Sequence, residues 1–465
     1  MESWLSPKIE YYTILNCDFQ FNENAVRYRM LDLQYVIANP DAVKAAITNK
    51  RVRGVTVQDV DTIVSLASSV KTATTEVQNL RAKRNEHSEK IQKAEAEERP
   101  TIIEEGKKLK EKIAELEEAL NEQEAKLQTL MTFLPGIPSA DTPIGPDETS
   151  NVVHHTWGEK PSFDFEPKNH VDLLNGLGLL DIERGVKVAG FRGYFLKGDA
   201  AMLEWAVLMY ATEKLRIKGF ELVTPPILVK ESVLFGAGQF PWSPPTDTYR
   251  MMKGSVDQTG NEISDQMYLA ATSEQPLMAM YAGETLDLSK GPIKMAGLSP
   301  CYRQEIGSYS KDLKGIYRVH EFMKVEQVII MEPDVEKAEA MHSEILKNAE
   351  EILQDLEIPY QVLSMCTGEM GEPQYKKYDI ESWMPGKGGY GETHSASNMA
   401  DFQCRRHNIR TKLANGEKVL AYSLNNTAIA LPRFLIAYVE NHQTKEGKIT
   451  VAKPLQKYLG KEVIG

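Results

Sequence analysis

The sequence predicts an α+β protein: an antiparallel sheet flanked by helices, preceded by an antiparallel coiled-coil helical hairpin. Three observations carry that expectation. Two heptad series separated by a short polar break lie in the first third of the chain, a stretch rich in proline and glycine ends them, and the remainder mixes strand-like and helical runs without regular βαβ alternation. At 465 residues the chain is too long for one ordinary domain and suits two with a short appendage.

Residues 1–29 form an N-terminal extension with no apolar signal-peptide core. A first domain is expected over residues 30–134. Within it, between residues 61 and 94, Ile63, Leu66, Val70, Ala73, Val77 and Leu80 recur at alternating three- and four-residue steps, and Ile91 and Ala94 resume the series. Arg84 and His87 fall on the same seam and loosen it. After a polar break at residues 95–100, Thr101 and Glu104 offer a capping box for a second helix, along which Leu109, Ile113, Leu116, Leu120, Gln123, Leu127 and Leu130 repeat the spacing. Folded about the break, Leu80 meets Leu116, Val77 meets Leu120 and Val70 meets Leu127, so the two series read as one hairpin arm. Residues 133–138, with Pro143, Gly145 and Pro146 beyond, cannot continue a helix, and residues 135–150 read as a linker. The second domain, residues 151–465, shows helical stretches at 200–218 and 335–356 and strand-like runs at 220–223, 325–331, 360–364 and 419–423.

Composition narrows the function. Hydrophobic residues at 42% and charged residues at 26% are average for a soluble protein, and no apolar run is long enough for a membrane helix, so a cytoplasmic protein is expected. The net charge of −12 confines any contact with RNA to a local basic patch and makes it sensitive to salt. Cys17, Cys301, Cys366 and Cys404 form no CxxC pair, which argues against a zinc knuckle or a disulfide frame. There is no GxxxxGK(S/T) loop and no GxGxxG after one of the strand-like runs, so neither a P-loop nor a Rossmann site is expected.

The informative block spans residues 301–309 and 314–326. Strand-like alternation on both sides of a polar loop brings Arg303, Glu305, Arg318, Phe322, Lys324 and Glu326 towards one sheet face. Two guanidinium groups, two acids and a ring suit a nucleotide plus a zwitterionic substrate, since guanidinium clamps phosphate or carboxylate bidentately and a ring stacks on a base. A charged, solvated hairpin is the plain alternative. The block resembles motif 2 of class II aminoacyl-tRNA synthetases, in the xRxE…RVHxFxKVEQ form carried by seryl-tRNA synthetases. Thr272, Ser273 and Glu274 resemble that family's serine-binding TxE loop. Residues 392–398 (ETHSASN) with 401–406 (DFQCRR) are similar to its ETHSxSNxxDFQxRR stretch, where Cys404 stands in place of the commoner small residue. Residues 424–428, 431–433 and 440–443 resemble motif 3, and Gly219 and Phe220 with Pro225 and Pro226 resemble motif 1, which in the family builds the homodimer interface. The resemblance runs in matching order from about Leu31 to the end.

That resemblance implies a serine–tRNA ligase: ATP and L-serine give seryl-adenylate and pyrophosphate, and serine then passes to the 3′ end of serine tRNA. A selenocysteine tRNA is a second candidate acceptor. Arg303 would clamp the α-phosphate and the serine carboxylate, and Arg433 would meet the γ-phosphate of a bent ATP. Phe322 would stack on adenine, Glu305 with Gln304 and Val319 would line its edge, and Arg318 would lie near the polyphosphate. Glu392 and Ser395 would hold Mg²⁺, with Thr393 and His394 beside the nucleotide. For serine, Thr272, Ser273, Glu274, Glu326, Asn425 and Thr427 join Arg303. His320 and Lys324 read as network residues, and Trp205, Trp242 and Trp383 as packing. The hairpin resembles the family's tRNA-binding arm, with Arg81, Lys83, Arg84, Lys90 and Lys93 as its basic stretch, although ordinary solvated coiled-coil charge would look the same. Two rivals use the same residues: a paralogue that loads a carrier protein or has kept only binding, and a non-enzymatic coiled-coil scaffold. The intact arm, Arg303, Arg433, Glu392 and Ser395 argue against the first, because drift damages such positions first, and the large domain after the linker would be needless for the second.

Overall fold

The computed structural model describes residues 31–93, 95, 99–243, 247–251, 266–305 and 315–465. The extension at residues 1–29, Cys17, Ala94 and residues 306–314 lie outside the described residues, as do the side chains of Ile91 and Lys93.

After two short helices, Leu33–Ala38 and Pro40–Asn49, helix α1 (Val57–Lys93) runs outward and α2 (Arg99–Thr132) returns beside it. The 37 residues of α1 make a rod of about 55 Å. The heptad reading holds along it. Ile63, Val77, Ile113 and Leu127 are buried, the other seam positions are half-buried, and most residues between them face water. Arg81 reaches Glu117 across the pair at 2.8 Å, and Val77 shares a cleft with Leu120, in the expected register. Two expectations are corrected. Arg84 is exposed rather than on the seam, because its guanidinium keeps its hydration by turning outward while His87 takes the half-buried place. Thr101 is not a cap, because α2 already starts at Arg99; Pro100 fits the first turn, where no N–H is needed.

The base of the hairpin is welded to the rest. Val60, Ile63, Ala67, Leu127 and Met131 form one cluster with Val36, Val43 and Ile47, and also with Trp242 and Phe402 of the second domain. The buried Lys50 ammonium donates to the main-chain oxygens of Gly371 (3.4 Å), Glu372 (2.9 Å) and Gln374 (2.5 Å). The stretch read as a linker is itself docked: Gly136 N–H donates to Glu372 O at 2.9 Å and Ser139 N–H to Tyr375 O at 2.8 Å. A Cβ on Gly136 would stand 2.5 Å from Pro373 O, so only glycine permits this approach.

In chain order the second domain supplies β1 (Val152–Trp157), α3 (Asp199–Ile217), β2 (Glu221–Val223), α4 (Glu274–Ala279), β3 (Ile293–Tyr302), β4 (Glu321–Met331), α5 (Val335–Asp355), β5 (Tyr360–Ser364), β6 (Lys376–Met384), β7 (Gly389–Ala400), α6 (Phe402–His407), β8 (Tyr422–Ala430) and α7 (Arg433–Asn441). The eight strands form one sheet in the order β1-β5-β6-β7-β8-β4-β3-β2, antiparallel except for β2 beside β3. The expected strand at 419–423 is split. Residues 418–420 pair with 410–412 in a small second sheet, and Tyr422 opens β8 after the buried Ala421.

Alternation divides the sheet into two faces. Met323, Val325 and Ile329 of β4, with Leu424 and Ala428 of β8, pack under α3, α5 and α7 in the main core. On the other face α4 and α6 cover one end only, through Leu277, Met278 and Cys404. Among the described residues the rest of that face, with Glu392 part-exposed and Arg303 exposed, stays open beside them as a cleft.

Candidate active site

The cleft is built from that second face. On β4 the two-residue period presents Phe322, Lys324 and Glu326; on β8 it presents Ser423, Asn425 and, at a bulge, Thr427. Glu326 lies opposite Thr427 on one side and Gly297 of β3 on the other. On β6 and β7 the same face carries Lys377, Asp379, Glu392 and Ser395.

At the α4 end a buried carboxylate, Glu326, and a half-buried one, Glu274, lie close to one another with different partners. Glu326 Oε2 meets Lys324 Nζ at 2.6 Å and accepts from Thr427 Oγ1 at 3.2 Å, and Lys324 also donates to Thr272 Oγ1 at 2.6 Å. Glu274 Oε1 accepts from the neutral amides of Asn425 (2.8 Å) and Gln403 (2.5 Å). Burial first, and the neighbouring Glu326 charge second, push the Glu274 carboxyl up to about 7. Ser273 is fully buried and donates to Gly297 O at 3.2 Å, so its hydroxyl holds the loop against β3.

At the far end Glu392 lies in the floor, with its side chain 45% exposed to the cleft. Arg433, the first residue of α7, donates to Glu392 Oε2 at 2.9 Å and lies 4.7 Å from the Tyr317 ring. Burial alone would raise Glu392, but Arg433, Lys377 and Arg303 outweigh it and hold the carboxyl below its ordinary range. Asp379 beside it is pushed up by burial and by the Glu392 charge, against Lys377 at 2.9 Å; its Oδ1 has no partner among the described residues.

Between the two ends stands Arg303, exposed in the loop after β3 with its guanidinium 5.5 Å from the Phe322 ring. Its main chain is pinned: its N–H donates to His320 O at 3.0 Å, and its carbonyl is 3.1 Å from His320 Nδ1. Its charge acts on Glu274 and on Glu392 alike. Glu305 adopts a left-handed backbone (φ 53°), and its carboxylate pairs with Arg318 at 2.9 Å. Gln304 donates to Thr248 O at 3.1 Å.

Besides Ser273, three of the residues singled out in the sequence do not present side chains to the cleft. Val319 is buried in the main core. Thr393 bonds Ser382 Oγ at 2.8 Å and His394 lies opposite Ile380, on the core side of the sheet. Burial drives the His394 imidazole down to about 4, so it is neutral. A bulge in β7 between its pairings with Ile380 and Glu381 turns Thr393 inward while Glu392 and Ser395 stay outside. Conversely, Lys377, Asp379, Tyr317 and Gln403 belong to the site and were not read as such. The two-residue step of Lys377 and Asp379 was visible, but not the strand that would lie beside them.

The chemistry of the cleft is a row of charges: carboxylates at both ends, an exposed guanidinium between, and a second guanidinium over the far acid. It suits a ligand with an ammonium at one end and phosphates along the other.

Comparison with known proteins agrees. Residues 255–442 match the tRNA synthetase class II core domain (G, H, P, S and T), and residues 30–138 match the seryl-tRNA synthetase N-terminal domain. A serine–tRNA ligase from Deinococcus radiodurans is 40% identical over 437 residues, 94% of this chain and 99% of its own length. A crystal structure of seryl-tRNA synthetase from Pyrococcus horikoshii complexed with ATP superposes with a TM-score of 0.84 at 36% identity, covering 94% of this chain and 99% of its own. A cytoplasmic serine–tRNA ligase from Naegleria fowleri in complex with AMP gives 0.81 at 28% identity, covering 94% and 99%.

Proposed function

Because this chain belongs to the seryl-tRNA synthetases, we propose that the cleft on the open face of β4, β7 and β8 is where serine is activated and handed to tRNA. The reaction is ATP-dependent ligation of serine to tRNA by a class II synthetase. The observation that carries the assignment of the cleft is the pair of ends built on one sheet face, Glu326 with Lys324 at 2.6 Å and Glu392 with Arg433 at 2.9 Å, together with the exposed Arg303 5.5 Å from the Phe322 ring.

Activation joins the serine carboxylate to the α-phosphorus of ATP and expels pyrophosphate, a step that needs alignment and charge neutralisation more than covalent help. Arg303 neutralises charge where the carboxylate and the α-phosphate meet. Phe322 offers its ring to adenine, Glu305 and Gln304 line the edge, and Val319 contributes main chain. Arg318 and Arg433 lie along the phosphates. Glu274 and Glu326 receive the ammonium and hydroxyl of serine, with Thr272, Asn425 and Thr427 completing the hydrogen bonds. A pocket whose polar groups are satisfied only by the hydroxyl rejects alanine strongly.

Glu392 and Ser395, with Asp379 Oδ1, which has no partner among the described residues, behind them, offer hard oxygen donors of the kind Mg²⁺ takes. Bound there, the ion would neutralise phosphate charge. Arg433 occupies Glu392 Oε2 and would have to share it.

The arm is assigned to the tRNA, with Lys83, Arg84 and Lys90 exposed along α1 and Arg81 partly spent on Glu117. The protein is assigned as a cytoplasmic homodimer. Met202, Trp205 and Met209 form an exposed apolar stripe along α3, 49%, 51% and 49% accessible, next to Leu222 of β2, and such a stripe suits a partner surface. Among the described residues no helix is long and apolar enough to cross a membrane.

The test is serine-dependent exchange of pyrophosphate into ATP, followed by serine transfer to tRNA. Exchange without transfer to tRNA would favour a carrier-protein substrate, and absence of exchange beside an active control would overturn the reading.

A further inference from the structure

We propose that Gln403 is a positioning residue for serine recognition: its amide fixes one oxygen of Glu274 so that the other faces the substrate. The inference rests on the reading of Glu274 as a serine contact and adds the device that prepares it.

Gln403 lies on α6, 1% exposed, where α6 packs against β8. All of its polar atoms are engaged. Its Nε2 donates to Glu274 Oε1 at 2.5 Å and to Ala237 O at 3.1 Å, while its Oε1 accepts from Ser423 Oγ at 2.8 Å. The Ala237 carbonyl and the ionised Glu274 carboxylate, which can only accept, decide which end of the amide is nitrogen. The amide therefore cannot flip without losing both.

The consequence falls on Glu274. Gln403 and Asn425 both donate to Oε1, and no hydrogen bond reaches Oε2 among the described residues. Its companion Glu326 is already matched by the Lys324 ammonium at 2.6 Å. Of the two carboxylates, Glu274 is thus the one aimed by neutral groups, which orient it without cancelling its charge. A lysine or arginine in place of Gln403 would orient it equally well but would compete with the substrate ammonium. The charged groups facing Glu274 are Glu326, Lys324 and Arg303, and Gln403 lowers the carboxyl pKa against the larger effect of burial.

The experiment is steady-state pyrophosphate exchange on the full-length protein with Gln403→Met, which keeps length and volume but removes donor and acceptor, and with Ser423→Ala, which removes only the orienting hydroxyl. In Gln403→Met the KM for serine rises about tenfold or more, while the KM for ATP stays within about twofold. The acid limb of kcat/KM for serine, near pH 7 in the wild type, moves to higher pH because the carboxyl loses a donor. Ser423→Ala moves the same quantities in the same direction by less, and it decides the matter by those readouts if Gln403→Met does not fold. A Gln403 that merely packs would lower the melting temperature with both KM values and the acid limb unchanged, and that result overturns the proposal. Glu274→Gln separates the layers. If it leaves the serine KM unaltered, the reading of Glu274 itself fails; if it raises that KM while Gln403→Met does not, only the positioning role falls.

Discussion

Replacing Arg406 should loosen the junction between the hairpin and the second domain. Arg406 is 2% exposed, and the hydrogen bonds of its guanidinium among the described residues go to main-chain oxygens, not to a carboxylate. It donates instead to the main-chain oxygens of Phe235 (2.9 Å), Phe240 (2.7 Å) and Thr132 (3.0 Å), the last being the final residue of α2. The rings of Phe235, Trp242 and Phe402 lie 4.3, 4.8 and 4.5 Å from its central carbon. Burial brings the group down to about 9, so at neutral pH it still carries its charge. Each bond from a charged donor contributes roughly 1.5–3 kcal/mol, offset by several kcal/mol of lost hydration. Arg406→Ala removes the donor but strands three carbonyls and a slot between the rings, for a net loss of about 3–5 kcal/mol. In a cooperative unit of roughly 150–250 residues that lowers the melting temperature by about 10 °C. Arg406→Lys should lose most of the same amount, because a point charge cannot reach three carbonyls arranged for a planar fork. Differential scanning fluorimetry reads the shift, and amide hydrogen exchange at the end of α2 should accelerate with it. If both variants melt within a degree or so of the wild type, the guanidinium is not the clasp described.

Three other outcomes are expected. Arg303→Ala and Arg433→Ala should each lower serine-dependent pyrophosphate exchange by about a hundredfold to a thousandfold, the scale of losing one preorganised donor at developing charge; a loss below tenfold would remove the residue from the phosphate path. Deleting residues 72–123 and closing the gap with a short turn should spare exchange and abolish tRNA charging, since Val60, Ile63, Ala67, Leu127 and Met131 at the base are retained. Charging that survives the deletion would dismiss the arm. In serine-free buffer Glu274→Gln should be more stable than the wild type at pH 8 by up to about 3 kcal/mol, with the gap closing towards pH 5. The sign follows from a carboxyl raised from 4.5 to about 7: its protonated form favours the fold below 4.5, and that advantage is lost as the pH climbs through 7. Equal melting curves at both pH values would contradict the burial described.

The hairpin and most strands were legible because their signals are local and periodic. Seam positions such as Val77 and Leu127 are buried as the spacing requires, α3 is shifted by one residue at each end from the stretch expected, and α5 starts where expected and ends one residue earlier. The site residues on β4 and β8 could also be named from the family resemblance, and alternation places Phe322, Lys324 and Glu326 together. What stayed hidden depends on neighbours distant in sequence. The inward turn of Thr393 and His394 comes from a bulge against β6, which no period in β7 announces. The docking of residues 135–139 depends on the carbonyls of Glu372 and Tyr375, more than 200 positions away, so a proline-rich stretch read as a tether. Gln403 stood in a recognised stretch, but its partner Glu274 is 129 residues removed.

The rigid seating of the hairpin also bears on aim. A rod of about 55 Å converts each degree of tilt at its root into roughly 1 Å of sway at its far end. With Lys50 gripping three carbonyls, Gly136 pressed against Pro373 and Arg406 holding Thr132, the root has little play. If the arm binds tRNA as proposed, it works less like a tentacle that searches for its cargo than like the fixed jaw of a caliper, set for a molecule whose distance between elbow and tip matches the gap.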